Sequence, residues 1–166
     1  MSLHALPAHS RLWLLALTTP PGPAAETRLR HGLAEIVGLW RHKGQAYQGV
    51  GVLLEPQLIA VAEPSLADHP SGCAIDGMLR KVHRLVDQLN LGLVDPGASI
   101  LVRQGGTLVP IAKADLQARL EDGSLDAATP VLDLSLYSLE DLRAGRLEAP
   151  LASTWVGRKF RIAVDA

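Results

Sequence analysis

The chain has 166 residues, 48% of them hydrophobic and 20% charged, enough to bury a core without staples and too apolar to stay disordered. Sixteen basic against seventeen acidic residues leave a net charge of -1, which excludes broad attraction to nucleic acid or to an anionic membrane. A single cysteine, Cys73, excludes an intrachain disulfide framework or a zinc site built on several thiolates.

Residues Met1 to Ser10 read as a loose leader, with one domain over residues 11–166. Leu12 to Leu17 is an apolar strand, ended by Thr18-Thr19-Pro20-Pro21-Gly22-Pro23 because proline cannot continue a ladder. The run from Arg11 to Thr19 only loosely imitates a signal peptide, so a cytoplasmic location is expected. No stretch approaches the ~20 apolar residues that span a bilayer.

From Ala25 the positions Leu29, Leu33, Ile36 and Trp40 fall at helical spacing. Arg41, His42 and Lys43 are expected in the last turn and Gly44 at its left-handed cap. Tyr47–Leu54 and Leu58–Glu63 read as a hairpin about Glu55-Pro56-Gln57, and Pro64–Pro70 as a loop. Gly49-Val50-Gly51 lies inside a strand and lacks the following helix, so it is no dinucleotide fingerprint. Ile75, Leu79, Val82, Val86 and Leu89 mark a second helix, stopped by Asn90, Gly92 and Pro96.

Ser99–Arg103 and Thr107–Ile111 form a second hairpin about Gly105-Gly106. A short helix from Asp115 to Leu120 ends at Gly123, and Val131 to Leu136 alternates as a half-buried strand. A last helix from Leu139 to Ala144 ends at Gly145, and Phe160 to Val164 reads as an edge strand. Leu120 to Ala127 and Leu142 to Ala149 echo each other as two glycine-stopped helices. The order β-α-β-β-α-β-β-α-β-α predicts an α+β protein: an antiparallel or mixed sheet with helices packed on it.

Chemistry could concentrate at Ser71-Gly72-Cys73-Ala74-Ile75-Asp76, where hairpin gives way to helix. A thiol at a helix N-terminus feels unpaired N–H groups that favour its thiolate. Cys73 would then be the nucleophile, with His69 as base and Asp76 in support. The plainer reading packs Cys73 as a small apolar residue, with Ser71 and Asp76 capping the helix and Gly72 easing the turn. Glu63, Asp76 and Asp133 could converge on a divalent cation, but capping and solvation explain them at less cost, and neither metal nor cofactor is expected. His42 reads as a solvated helix cap. Near the C-terminus Trp155 and Arg158, like Ser71 and Gly72, are candidate ligand contacts.

Several of these features together resemble a family of small uncharacterised bacterial proteins. They are Trp13, the Trp40 to Gly44 helix end, the apolar hairpin, the Ser71 to Asp76 stretch and Ser153-Thr154-Trp155. Members often carry the label ABC transporter ATPase, yet no G-x-x-x-x-G-K-[ST] sequence supports it here. They carry histidine directly before the helix-ending glycine, where this chain has Lys43, and asparagines where it has Asp133 and Leu134. The resemblance implies a shared fold and no reaction. The function expected from the residues is a non-catalytic interaction or regulatory domain, as a homodimer, with nucleic acid not expected as a partner. The alternative is a thiol-dependent enzyme or redox sensor centred on Cys73.

Overall fold

A computed structural model describes residues 2–65 and 71–162. The α+β class expected from the sequence is observed, with every strand pairing antiparallel. There is more than one sheet, however. Strands β1 (Arg11–Ala16), β4 (Val50–Glu55) and β5 (Leu58–Glu63) form a three-stranded sheet in the order β1-β5-β4. Strands β6 (Ser99–Gln104), β7 (Thr107–Ala112), β8 (Pro130–Leu132) and β9 (Glu148–Pro150) form a second, ordered β7-β6-β8-β9.

The burial pattern explains how these sheets stack. All six residues of β5 are buried, so both of its faces are covered. On one face Ile59 and Val61 join Leu29, Leu33 and Val37 of α1 (Pro23–Gly38) and Met78, Val82 and Val86 of α2 (Gly72–Gln88). On the other, Leu58, Ala60 and Ala62 meet Leu101, Leu108 and Leu132 of the second sheet. That sheet turns Ile100, Val102, Ile111 and Val131 to its far side. There they pack on Leu116 of α3 (Leu116–Glu121) and Val156 of α5 (Trp155–Lys159). The result is a helix, sheet, sheet, helix stack.

Two polar devices fasten the sheets together. Gln57, buried in the β4–β5 turn, donates to the carbonyls of Leu17 and Leu108 and accepts the Leu108 N–H at 3.2 Å. Arg103 on β6 holds Glu55 of β4 and Glu148 of β9 at once. Hydrogen bonds that its guanidinium donates, first to Glu55 and then to Glu148, hold it still more firmly charged. Close backbone approach accounts for the glycines at 49 and 51. A side-chain carbon at Gly51 would lie 2.9 Å from Val37 and 3.2 Å from the Leu33 carbonyl, so glycine lets α1 settle on β4.

Several expectations need correction. The leader is not loose: Leu3 and Leu6 are buried, and Arg143 of α4 (Leu139–Arg143) donates to their carbonyls. Helix α1 stops at Gly38, so Arg41, His42 and Lys43 do not cap it. Arg41–His42 (β2) pairs instead with Gln45–Ala46 (β3), across a tight turn in which Lys43 and Gly44 both have positive φ. Trp40 leaves the helix because its ring belongs to the α2 interface, where its indole N–H donates to the Ala74 carbonyl at 2.9 Å.

β8 ends at Leu132, not Leu136, because the Asp133 carboxylate accepts the Ser135 N–H and turns the chain. Leu134 and Leu136 still pack on the core, so the alternation reported burial rather than a ladder. In place of an edge strand from Phe160, the C-terminal segment forms α5, with Phe160 as its cap. The rest of that expected strand, from residue 163, lies outside the described residues. Gly123 and Gly145 do stop their helices with positive φ, and after α4 the Arg146 N–H reaches back to the Asp141 carbonyl.

Candidate functional site

The start of α2 is built from three segments. Ser71 precedes the helix in extended conformation, but its hydroxyl does not cap it. The Ser71 Oγ lies 3.1 Å from Nδ1 of His42, which the β2–β3 hairpin brings alongside. His42 is therefore a partner of Ser71 and not a solvated cap. Its ring stacks on Tyr47, whose ring packs on Trp40, which in turn meets Trp13 edge to face. Beneath this corner the buried Glu63 carboxylate accepts from the Ser65 hydroxyl at 2.8 Å and from the Gln48 N–H at 3.3 Å.

Cys73 and Asp76 both point outward. Cys73 is exposed in the first turn, which overturns the buried, core-packing reading of this thiol. Asp76 is exposed one turn on and lines a shallow groove with Arg80, His83 and Arg84; no hydrogen bond joins it to Cys73 or Ser71 among the described residues. Gly72 has a negative φ and open space where a side-chain carbon would stand, so neither a turn nor a close contact demands glycine. His69, the proposed base, lies outside the described residues. Glu63, Asp76 and Asp133 are not grouped, and the described residues contain no cluster of three metal-ligating side chains.

Trp155 and Arg158 lie elsewhere, at a second feature. A cleft of about 400 Å³ opens beside the second sheet, walled by Ile100, Val131, Leu132, Trp155 and Val156. Three cations, Lys113, Arg146 and Arg158, stand around it against one carboxylate, Asp133. Each cation is held by other groups. The Lys113 ammonium donates to the carbonyls of Pro96 and Gly97, 4.8 Å from the centre of the Trp155 ring. Arg158 donates to the Ser153 carbonyl, and Arg146 pairs with Asp141 at 2.9 Å through Nε, leaving the outer edge of its guanidinium.

Thr154 sets the position of Trp155. Its hydroxyl accepts the Gly157 N–H at 3.1 Å and starts α5. Gly157 sits so close to Leu151 and Ala152 that only a hydrogen fits there. The indole is left 53% exposed at the rim, an unusual cost for so large a ring. Lys113 and Arg146 carry no motif of their own, and only the folded sheet sets them beside Trp155 and Arg158.

The ligand candidates of the sequence therefore divide into two places, Ser71 and Gly72 at the α2 start and Trp155 and Arg158 at the cleft. Among the described residues no helix is long and apolar enough to cross a membrane. Comparison of the chain with protein-family models, with curated proteins and with solved structures gave no match.

Proposed function

We propose that this protein is a non-catalytic binding domain that holds a small organic anion in the Trp155 cleft. The observation that carries this reading is the half-exposed Trp155 ring at the mouth of a cleft lined by Lys113, Arg146 and Arg158. An anionic group gains charge-assisted hydrogen bonds there, and a flat or apolar portion gains the indole face. Guanidinium, ammonium and hydroxyl groups suit holding a charge better than moving a proton near neutral pH. The S-G-C-x-I-D stretch and the tail tryptophan support placing the chain in the bacterial family that it resembles, and a cytoplasmic setting agrees with one free thiol.

Titration with phenyl phosphate, benzoate and neutral benzyl alcohol, read on the Trp155 indole resonance, tests the proposal. Saturable binding of an anion at about 1 mM or tighter, absent for the alcohol and lost in Arg158→Gln, is the expected result. Equal response to the alcohol, or none to any anion, overturns it. Light scattering on the same samples distinguishes the proposed homodimer from a monomer of 17.7 kDa.

A second reading, a redox sensor, rests on the exposure of Cys73 beside the Ser71–His42 pair. It requires Cys73 to alkylate faster than glutathione at pH 7 and to slow in His42→Gln. Alkylation no faster than the free thiol removes it.

A further inference from the structure

The outer edge of β1 carries an interrupted strand. In the β1–β5 register, even-numbered residues of β1 aim their backbone groups away from β5, since the Leu12 N–H donates to Tyr137 and the Ala16 carbonyl accepts from Val94. Two segments lie antiparallel along this edge. Leu93 and Val94 cover its C-terminal end through the Leu17–Leu93 bridge, and residues 136–138 cover its N-terminal end through the Arg11–Ser138 bridge. Counting inward from each bridge, Val94 stands opposite Ala16 and Leu136 opposite Trp13. No backbone pairing is made opposite Leu14 and Leu15 among the described residues, although Pro96 and Ser135 border the same edge.

At this two-residue gap the N–H and C=O of Leu14 both face outward, and neither has a hydrogen-bond partner among the described residues. The gap opens into its own cleft of about 310 Å³, walled by Leu15, Leu79, Leu93 and Leu136. Arg11 stands at one end with its guanidinium over the Trp13 and Tyr137 rings, and it makes no ion pair among the described residues.

We propose that this gap binds the C-terminal end of a polypeptide as the missing piece of the strand. A peptide residue presents the donor and acceptor that Leu14 lacks, as in other strand additions. The flanking segments occupy the positions before and after the gap, so only the last two residues of the ligand pair with β1 and the chain before them leaves the edge ahead of Val94. Its polarity follows from the ladder. Leu93 to Val94 and residues 136–138 both run antiparallel to β1, so an inserted segment running with them places its C-terminus toward Arg11. The terminal residue lies opposite Leu14, where its N–H donates to the Leu14 carbonyl and its carboxylate accepts the Leu14 N–H and faces the Arg11 guanidinium. The residue before it, opposite Leu15, directs its side chain toward Leu79 and Leu93, which favours an apolar one.

This gap borders the Trp155 cleft through Val94, Pro96, Leu134 and Ser135 but stands without it, because the reporters differ. Amide hydrogen exchange on the free protein tests the gap itself. Leu14 exchanges faster than Trp13 and Leu15, which face β5; protection of Leu14 equal to theirs overturns the proposal. Binding is tested by titrating acetyl-Leu-Leu free acid, read on the Leu14 amide resonance. Replacing the acid by its carboxamide weakens binding about threefold or more, an advantage that Arg11→Gln abolishes. Methylating the terminal leucine nitrogen weakens it about tenfold. A Leu14 resonance indifferent to the acid, or equal binding of acid, amide and N-methyl forms, overturns the assignment. Arg158→Gln leaves these results unchanged, so the two sites fail separately.

Discussion

Replacing Gln57 by leucine tests the junction on which both clefts depend. Gln57 is 3% exposed, and its amide meets the backbone of β7 as a neighbouring strand would, giving one hydrogen bond to the Leu108 carbonyl and taking one from the Leu108 N–H. Leucine is of similar size, so little cavity forms, but both backbone groups of the buried Leu108 lose their partner. Each orphaned group costs about 1–3 kcal/mol. Partial relaxation and the added apolar contact bring the expected loss to about 2–3 kcal/mol. With a urea m-value of about 2–3 kcal/mol/M, that loss lowers the midpoint by roughly 1 M at unchanged slope. Gln57→Glu sharpens the assay. A carboxylate cannot donate to the Leu17 and Leu108 carbonyls, so burial raises its folded pKa above the unfolded value of about 4.3. The variant is then relatively more stable below that pH and loses the advantage as pH rises through the folded value. A loss under about 0.5 kcal/mol for leucine, or no such pH trend for glutamate, would refute the claim that this amide locks the sheets.

Three further outcomes follow from other parts of the molecule. Gly157→Ala sets a side-chain carbon 2.1 Å from the Leu151 carbonyl oxygen, so α5 must shift; titration should show anion binding at the Trp155 cleft weakened about tenfold or more while the β-sheet circular dichroism is kept. Arg103→Met leaves Glu55 and Glu148 facing each other without their shared cation, and chemical unfolding should register a loss of about 1–2 kcal/mol after solvent screening of these half-exposed groups. The Asp122 carboxyl, hydrogen-bonded by Ser124, titrates below its ordinary value of 3.8. Its contribution to stability is present above that pH and lost as pH falls through the lowered value, and Ser124→Ala should move its carboxyl resonance back toward ordinary titration.

The parts of the fold legible in the sequence are those set by local chemistry. Apolar spacing at Ile75, Leu79, Val82 and Val86 produced α2, the Pro56 and Gly105-Gly106 turns produced the two hairpins, and Gly123 and Gly145 stopped their helices. The same spacing misled at Trp40, whose period matches a helix although its indole is claimed by Ala74 on a distant segment. It misled again at Leu134 and Leu136, where alternating burial outlasts the strand because Asp133 turns the backbone. Ser71 likewise read as a cap, because nothing local announces that His42 will reach its hydroxyl.

By itself, then, the sequence determined the helix α2, the two antiparallel hairpins and the glycine helix stops, each of which depends on residues within a turn or two of one another. Tertiary structure alone decided that two sheets stack face to face, that Lys113 and Arg146 join Arg158 around Trp155, and that among the described residues the Leu14 N–H and C=O of β1 are left without a partner. The physical reason is range. Period and turn chemistry act between near neighbours, whereas a cleft is bounded by segments up to 64 residues apart, from Val94 to Arg158, whose meeting depends on which apolar faces bury each other.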